Sequence, residues 1–245
     1  MKMQAPARPP SISLIIPAYN EEHYLPACLD AIMENIAGKA IEIIVVDNNS
    51  RDGTRKVIER YPQVTYLFEP RKGITRARQR GFMGSRGDIL AYVDADTRPP
   101  PGWIEQIWQQ FGDHEDLACL SGPYTFYDLG GIRRAVSNGW FVVARLIYGI
   151  IGYVVIGGNF AIRRSVLERM GGFDCSIEFY GEDVDIAKRA GRQGKVRFSP
   201  RFIMPTSGRR MQQHGFLKMA GLYFINYFSV VCRGKPATQT YTDVR

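Results

Sequence analysis

Hydrophobic positions along this chain fall into two alternating rhythms. Ser11 to Pro17 is a compact apolar run of strand type. After the polar stretch Tyr19 to Glu22, apolar side chains recur at Leu25, Cys28, Leu29, Ile32, Met33 and Ile36, a spacing that predicts a helix stopped by Gly38. Ile41 to Asp47 is a second strand, nearly continuous in apolar residues, as a sheet covered on both faces requires. Asn48 to Thr54 then turns the chain into a second helix, expected to run through Tyr61. Val64 to Phe68 and Ile74 to Met83 repeat the cycle, and Asp88 to Val93 forms a fourth strand that runs into Asp94-Ala95-Asp96-Thr97.

Such alternation implies an α/β fold with a mostly parallel central sheet, right-handed crossovers and flanking helices, and ligands of such sheets bind at the carboxyl ends of the strands. The polar residues of interest gather there. Tyr19, Asn20, Glu21 and Glu22 follow the first strand, Asp47 ends the second, Arg71, Lys72 and Gly73 follow the third, and Asp94 and Asp96 end the fourth. Taken one at a time they have plain structural readings: Asn20 as a helix cap, Asp52-Gly53 as a turn, and Arg76, Arg78 and Arg80 as a solvated helix face. Four loops converging on one edge make a ligand pocket the stronger reading. Beyond Pro101 the alternation weakens. Trp103 to Phe111 reads as a short helix, Leu117 to Gly122 and Lys195 to Phe198 as strands, and Glu182 to Gly191 as a helix with an acidic first turn. From Gly215 to Val231 the chain is aromatic-rich and apolar almost all round, as in a helix that is buried or meets a membrane or a partner.

The 245 residues, 45% of them hydrophobic, are enough for one full core, and one domain is expected over the whole chain. The net charge of +8 points to anionic partners, and the arginine excess suits phosphate oxygens. The charge is scattered without a basic run, which argues against nucleic acid. Cys28, Cys119, Cys175 and Cys232 form no CxxC pair and read as idle thiols of a reducing compartment. Met1 to Pro10 lacks a secretory apolar stretch, and Trp140 to Phe160 is interrupted by Arg145 and several glycines. The expected location is therefore cytoplasmic. Residues 140–156 read first as buried core, and the alternative, for them or for 216–231, is peripheral contact at the inner face of a membrane.

The sharpest chemistry is the pair Asp94 and Asp96. On an extended backbone they point the same way, and two oxygen donors in one pocket suit Mg²⁺ or Mn²⁺ held together with substrate phosphates. The plain alternative is an acidic pair closing a strand in a solvated turn. Glu182 and Asp183 are, on a structural reading, dipole partners of a helix N-terminus.

Pro17-Ala18-Tyr19-Asn20-Glu21-Glu22, Val46-Asp47-Asn48-Asn49-Ser50-Arg51-Asp52-Gly53-Thr54 and Asp94-Ala95-Asp96, in that order and spacing, resemble the nucleotide-binding half of family 2 glycosyltransferases with the Rossmann-like GT-A fold. The resemblance extends over essentially the whole chain. It implies an inverting, nucleotide-sugar-dependent enzyme with residues 11–101 as the nucleotide half, 102–210 as the acceptor half and 211–245 as a terminal helix and tail. Pro17, Ala18, Tyr19, Asn20, Glu21 and Asp47 would hold the nucleoside, with Asn49, Lys72, Gly73, Arg76, Asp94 and Ala95 around the donor and Asp96 on the metal, beside Asp94. Gly157-Gly158-Asn159 resembles the loop where backbone approaches the donor sugar, and Arg209 and Arg210 lie in a basic segment that could close over the diphosphate. Asp183 would be the general base, assisted by Glu182. UDP-sugar is the expected donor and a glycan or lipid-linked hydroxyl the acceptor. His214 reads as structural rather than as a further metal ligand.

Three rivals fit less well. A phosphatase or phosphotransferase of haloacid dehalogenase type also ends a strand in Asp-x-Asp, but there the pair closes the first strand. A sugar-nucleotide-binding module without turnover would lack a base, and a dinucleotide dehydrogenase would need a GxGxxG after the first strand.

Overall fold

A computed structural model describes residues 9–131, 139, 144–177, 180–215, 221–222, 225–227, 229–230, 233 and 236–238. Four β/α cycles open the chain: β1 (Ile12–Ala18), α1 (Leu25–Ile36), β2 (Glu42–Asp47), α2 (Thr54–Ile58), β3 (Val64–Phe68), α3 (Ile74–Gly84), β4 (Ile89–Val93) and α4 (Trp103–Asp113). Helix α2 ends a turn short of the expected Tyr61. The Tyr61 N–H reaches back to the Ile58 carbonyl at 3.0 Å, and Tyr61 precedes Pro62, which disfavours helical geometry there. The second half holds β5 (Leu117–Ser121), β6 (Tyr124–Phe126), a helix α5 described over 144–151, β7 (Asn159–Arg163), α6 (Arg164–Arg169), α7 (Glu182–Gly191), β8 (Lys195–Phe198), β9 (Met204–Thr206) and α8 (Arg209–His214).

The main sheet has seven strands in the order β3-β2-β1-β4-β7-β5-β8, and β6 pairs with β9 in a small parallel ribbon. All main-sheet pairings are parallel except those of β7, which runs antiparallel to both β4 and β5. A mostly parallel α/β sheet is thus what the alternation predicted, while β7 has no counterpart in the sequence reading. The sheet is covered on both faces. Leu14 and Ile16 of β1 pack with α1, α2 and α4, and Ile15 points the other way, towards a core holding Ala77 of α3, Leu167 of α6 and Ile186 of α7. Helix α3 lies so flush on the sheet that a Cβ on Gly81 would stand 2.3 Å from Ile15 Cγ2.

Trp140 lies outside the described residues. Of the rest of its apolar stretch, Ala144 and Val154 are buried against Phe198 with Ile147 and Tyr148 packed beside them, whereas Leu146 and Ile150 of α5 are exposed. No helix among the described residues is long and apolar enough to cross a membrane. In the aromatic C-terminal stretch, Phe216, Leu217, Met219, Tyr223 and Phe228 lie outside the description. Ile225 there is exposed, and Asn226 is buried, its amide group bonded to Leu222 O and Thr238 Oγ1 at 2.8 Å each.

Candidate active site

The strand order reverses between β2-β1 and β4, and the carboxyl ends of β1, β2, β3 and β4 form one edge with the start of β7, since Val93 faces Asn159. Pro17 and Ala18 are buried at the end of β1, and Ala18 O accepts from the Asn48 N–H at 2.8 Å. Asn20 and Asn49 both hold positive φ, 52° and 66°, a conformation asparagine tolerates. The Asn20 Oδ1 accepts from the Arg51 N–H at 2.8 Å, and exposed Asn49 donates to Pro70 O at 3.1 Å. Asp47 is buried, its carboxylate accepting from the Ser50 N–H at 2.9 Å and Tyr66 Oη at 3.2 Å. Asn48 shapes the next loop by donating to Glu69 O and Arg71 O and accepting from the Gly73 N–H. There Lys72 Nζ stands 3.9 Å from the Tyr19 ring centroid, while half-buried Arg76 lies against Gly73.

One expectation about the Asp pair needs correction. Strand β4 stops at Val93, and 94–97 is a turn closed by Thr97 N–H to Asp94 O at 3.1 Å, so strict face alternation does not apply. The two carboxylates serve different neighbours. Asp94 Oδ2 meets Tyr124 Oη at 3.3 Å and Asp94 Oδ1 lies 3.6 Å from Arg78 Nη2, whereas Asp96 Oδ2 lies 2.9 Å from Arg209 Nη2. Ala95 between them is buried in the core. Gly158 explains how tightly this is built. A Cβ there would stand 2.2 Å from Tyr124 Oη and 2.3 Å from Asp94 Oδ2, so only glycine lets β7 approach the carboxylate.

Asn159, by contrast, does not face the pocket with its side chain. Its Nδ2 donates to Phe202 O at 2.7 Å and Gly122 O at 3.1 Å, and its Oδ1 accepts from Trp103 Nε1 at 3.1 Å, so the carboxamide is consumed in the core.

Glu182 and Asp183 open α7 behind Gly181, whose φ of 89° turns the chain into the helix. Phe179 lies outside the described residues, and Tyr180 is buried. The residue that bridges one carboxylate of each acidic pair is Arg78, which taken alone in the sequence reads as part of a solvated helix face. It is 2% exposed, with Nη1 3.5 Å from Glu182 Oε1, Nη2 3.6 Å from Asp94 Oδ1 and donating to Gly157 O at 2.7 Å. A signal for it exists in the sequence: Thr75, Arg78 and Gly81 share one stripe of α3, the stripe that faces the sheet. Burial raises the pKa of Glu182, with Asp183 adding to the rise and Arg78 opposing it. Asp183 is raised too, by burial first, again against Arg78.

The third cluster joins the ends of the chain. Arg209 Nη2 lies 2.6 Å from Glu21 Oε1, both residues buried, and the guanidinium rests on Tyr24 at 4.4 Å from its centroid. Half-buried Arg210 follows it in α8. The described thiols are free, and burial pushes Cys28 up to about 12, which fits an inert side chain.

Residues 13–171 match the family model described as Glycosyl transferase family 2. Among known proteins the chain is similar to the glycosyltransferase AglE of Haloferax volcanii, 37% identical over 193 residues, covering 76% of this chain and 62% of that one. It is 31% identical over 170 residues to the dolichol-phosphate mannosyltransferase of Pyrococcus furiosus, covering 64% of this chain and 47% of the relative. The chain thus spans about half the length of such relatives. Among solved structures, the mannosyltransferase PcManGT of Pyrobaculum calidifontis, in complex with GDP-Man and Mn²⁺, superposes with a TM-score of 0.70 at 21% identity, covering 93% of this chain and 66% of that one. The glucosyl-3-phosphoglycerate synthase of Mycobacterium tuberculosis, in complex with Mn²⁺ and UDP, gives 0.66 at 19% identity, covering 94% of this chain and 82% of that one. With its GT-A fold and a family match over most of its length, this chain belongs to glycosyl transferase family 2.

Proposed function

We propose that this chain transfers a sugar from a nucleoside diphosphate donor, UDP-sugar first, to a hydroxyl of a glycan or lipid-linked acceptor with inversion at the anomeric carbon. The observation that carries the reading is Arg78, whose guanidinium lies within 3.6 Å of Asp94 on the donor side and 3.5 Å of Glu182 on the other. One buried cation thus links one carboxylate of each acidic pair, 88 residues apart in sequence, which supports a leaving group on one side and an attacking hydroxyl on the other. Residues 11–101 would carry the donor and 102–210 the acceptor.

The donor set fits a hard divalent ion. Glu21 Oε1 and Asp96 Oδ2 already converge on one cationic nitrogen, at 2.6 and 2.9 Å. Because no group of three His, Cys, Asp or Glu side chains among the described residues could hold a metal, an ion held there would have to take the rest of its oxygens from phosphate and water. Asp96, beside Asp94 and Glu21, would hold Mn²⁺ or Mg²⁺, which when bound neutralises charge on the diphosphate. Asp47, Asn20 and the Lys72-Gly73 loop would seat the nucleoside and phosphates. Asp183 would accept the proton of the attacking hydroxyl, and Glu182, tied to Arg78, would hold the local charge balance. Exposed Leu146 and Ile150 next to exposed Arg145 support peripheral contact with a membrane carrying a lipid-linked acceptor.

The test is a transfer assay over UDP- and GDP-sugars with Mn²⁺, read beside calorimetry of nucleoside diphosphate binding. Asp96→Asn, which keeps shape and removes charge, should stay folded and lose metal-dependent nucleotide affinity. Unchanged metal-dependent affinity in that variant would overturn the metal assignment, and no sugar-nucleotide turnover by the intact chain with any donor would overturn the reading itself.

A further inference from the structure

The place where Glu21 and Asp96 converge already holds a cation that belongs to the chain. Arg209 Nη2 is 2.6 Å from Glu21 Oε1 and 2.9 Å from Asp96 Oδ2, Arg209 is 7% exposed, and its Nε is buried without a hydrogen-bond partner among the described residues. The guanidinium therefore satisfies two carboxylates while keeping unused donor capacity. An arginine fork with a spare N–H is well matched to the oxygens of a diphosphate.

The backbone that carries Arg209 is fastened to the acidic turn itself. Thr97 bridges to Thr206, the Arg98 N–H donates to Pro205 O at 2.8 Å and the Ser207 N–H donates to Asp96 O at 3.1 Å. Asp128 holds the same segment from the other side, accepting from Ser207 Oγ and the Gly208 N–H at 2.5 and 2.6 Å. Segment 205–208 and the Asp96 turn are thus one unit, and the Arg209 side chain leaves that unit to stack on Tyr24 at 4.4 Å from its centroid.

Resting on the glycosyltransferase reading, we propose that Arg209 is the resident countercation of this pocket: it neutralises Glu21 and Asp96 before ligands arrive, and it transfers to the donor diphosphate when the divalent ion takes its place. Charge makes the exchange cooperative. An ion entering alone must expel a guanidinium from buried Glu21 and half-buried Asp96 and leave it without an anion. An ion entering with a nucleoside diphosphate offers that guanidinium a new anionic partner. Metal and nucleotide then bind as a coupled pair, within the roughly 5–150-fold range usual for linked sites.

The experiment is Mn²⁺ titration followed by the EPR signal of the free ion, with and without UDP or GDP, on the full chain. Thermal melts run in parallel. Arg209→Met should bind Mn²⁺ alone about tenfold or more tightly than the wild type, bind the nucleotide more weakly, and lose most of the coupling between the two. Arg209→Gln, whose amide can still donate to Glu21 or Asp96, should behave alike and serves if Arg209→Met fails to fold. Folded variants that bind Mn²⁺ alone no better than the wild type, with coupling intact, would overturn the proposal and leave the glycosyltransferase reading standing. A wild-type chain with no Mn²⁺-dependent affinity for either nucleotide would remove both.

Discussion

Replacing Arg78 by methionine, which has similar length and no charge, should reveal how the two acidic pairs are held together. The substitution removes a guanidinium that is 3% exposed at its side chain, 3.5 Å from a Glu182 carboxylate that is 14% exposed. At an effective dielectric of about 20, two unit charges at that distance attract by about 5 kcal/mol, a figure that applies above the raised pKa of Glu182, where its carboxylate is ionised. The Asp94 contact adds less, because that carboxylate is 34% exposed and screened by solvent. Removing one partner of a buried pair typically costs about 3–5 kcal/mol, since the other charge stays buried without compensation. For a chain of this size that is a fall in Tm of roughly 6–20 °C. The loss should depend on pH with a definite sign. Burial already raises the Glu182 and Asp183 pKa values above those of an unfolded chain, so these groups favour the fold below the ordinary carboxylate range and lose that contribution as pH rises through their folded values. Without Arg78 opposing it, the rise is larger, and the variant should lose more stability at pH 9 than at pH 5. A double-mutant cycle isolates the pair. Adding Glu182→Gln to Arg78→Met should restore about 1–3 kcal/mol, measured by urea unfolding at both pH values. Additivity within about 0.5 kcal/mol would refute the argument that Arg78 and Glu182 form an energetic unit.

Asp183→Asn should lower transfer by roughly 10²- to 10⁴-fold with donor and Mn²⁺ affinity nearly intact, and near-normal turnover with a true acceptor would exclude it as the base. Gly158→Ala inserts a Cβ 2.2 Å from Tyr124 Oη and 2.3 Å from Asp94 Oδ2, so it should cost about 1–3 kcal/mol of stability and depress kcat/KM by displacing Asp94; a variant with wild-type Tm and activity would mean the strand relaxes. Tyr92 Oη is buried without a hydrogen-bond partner among the described residues, while its ring stacks on Phe160 at 4.8 Å, so Tyr92→Phe should leave stability unchanged or raise it by up to about 1 kcal/mol. A loss of more than about 2 kcal/mol in chemical unfolding would show that the hydroxyl has a partner after all.

Much of the architecture was legible in the chain. Apolar runs such as Leu14-Ile15-Ile16 and the three-four spacing from Leu25 to Ile36 report burial that is local to an element, and alternation of the two types suffices to set a parallel sheet and the edge where ligands bind. Asp47, Asp94 and Glu21 fall on that edge because each ends a strand or lies in the loop that follows one. What pattern could not supply is which distant partner fills each pocket. Asn159 looked like a donor contact from its glycine-rich loop, but β7 enters the sheet antiparallel and turns the carboxamide into the core. Asp94 and Asp96 looked like one extended pair, yet the turn after Val93 hands one to Arg78 and the other to Arg209. Arg78 lies 104 residues from Glu182, and Arg209 lies 188 residues from Glu21. Periodicity carries no information at such separations. Whether an arginine on a helix meets water or a buried carboxylate is decided only when the packed sheet closes the distance, because the cost of burying the charge is met by a partner that the local sequence does not contain.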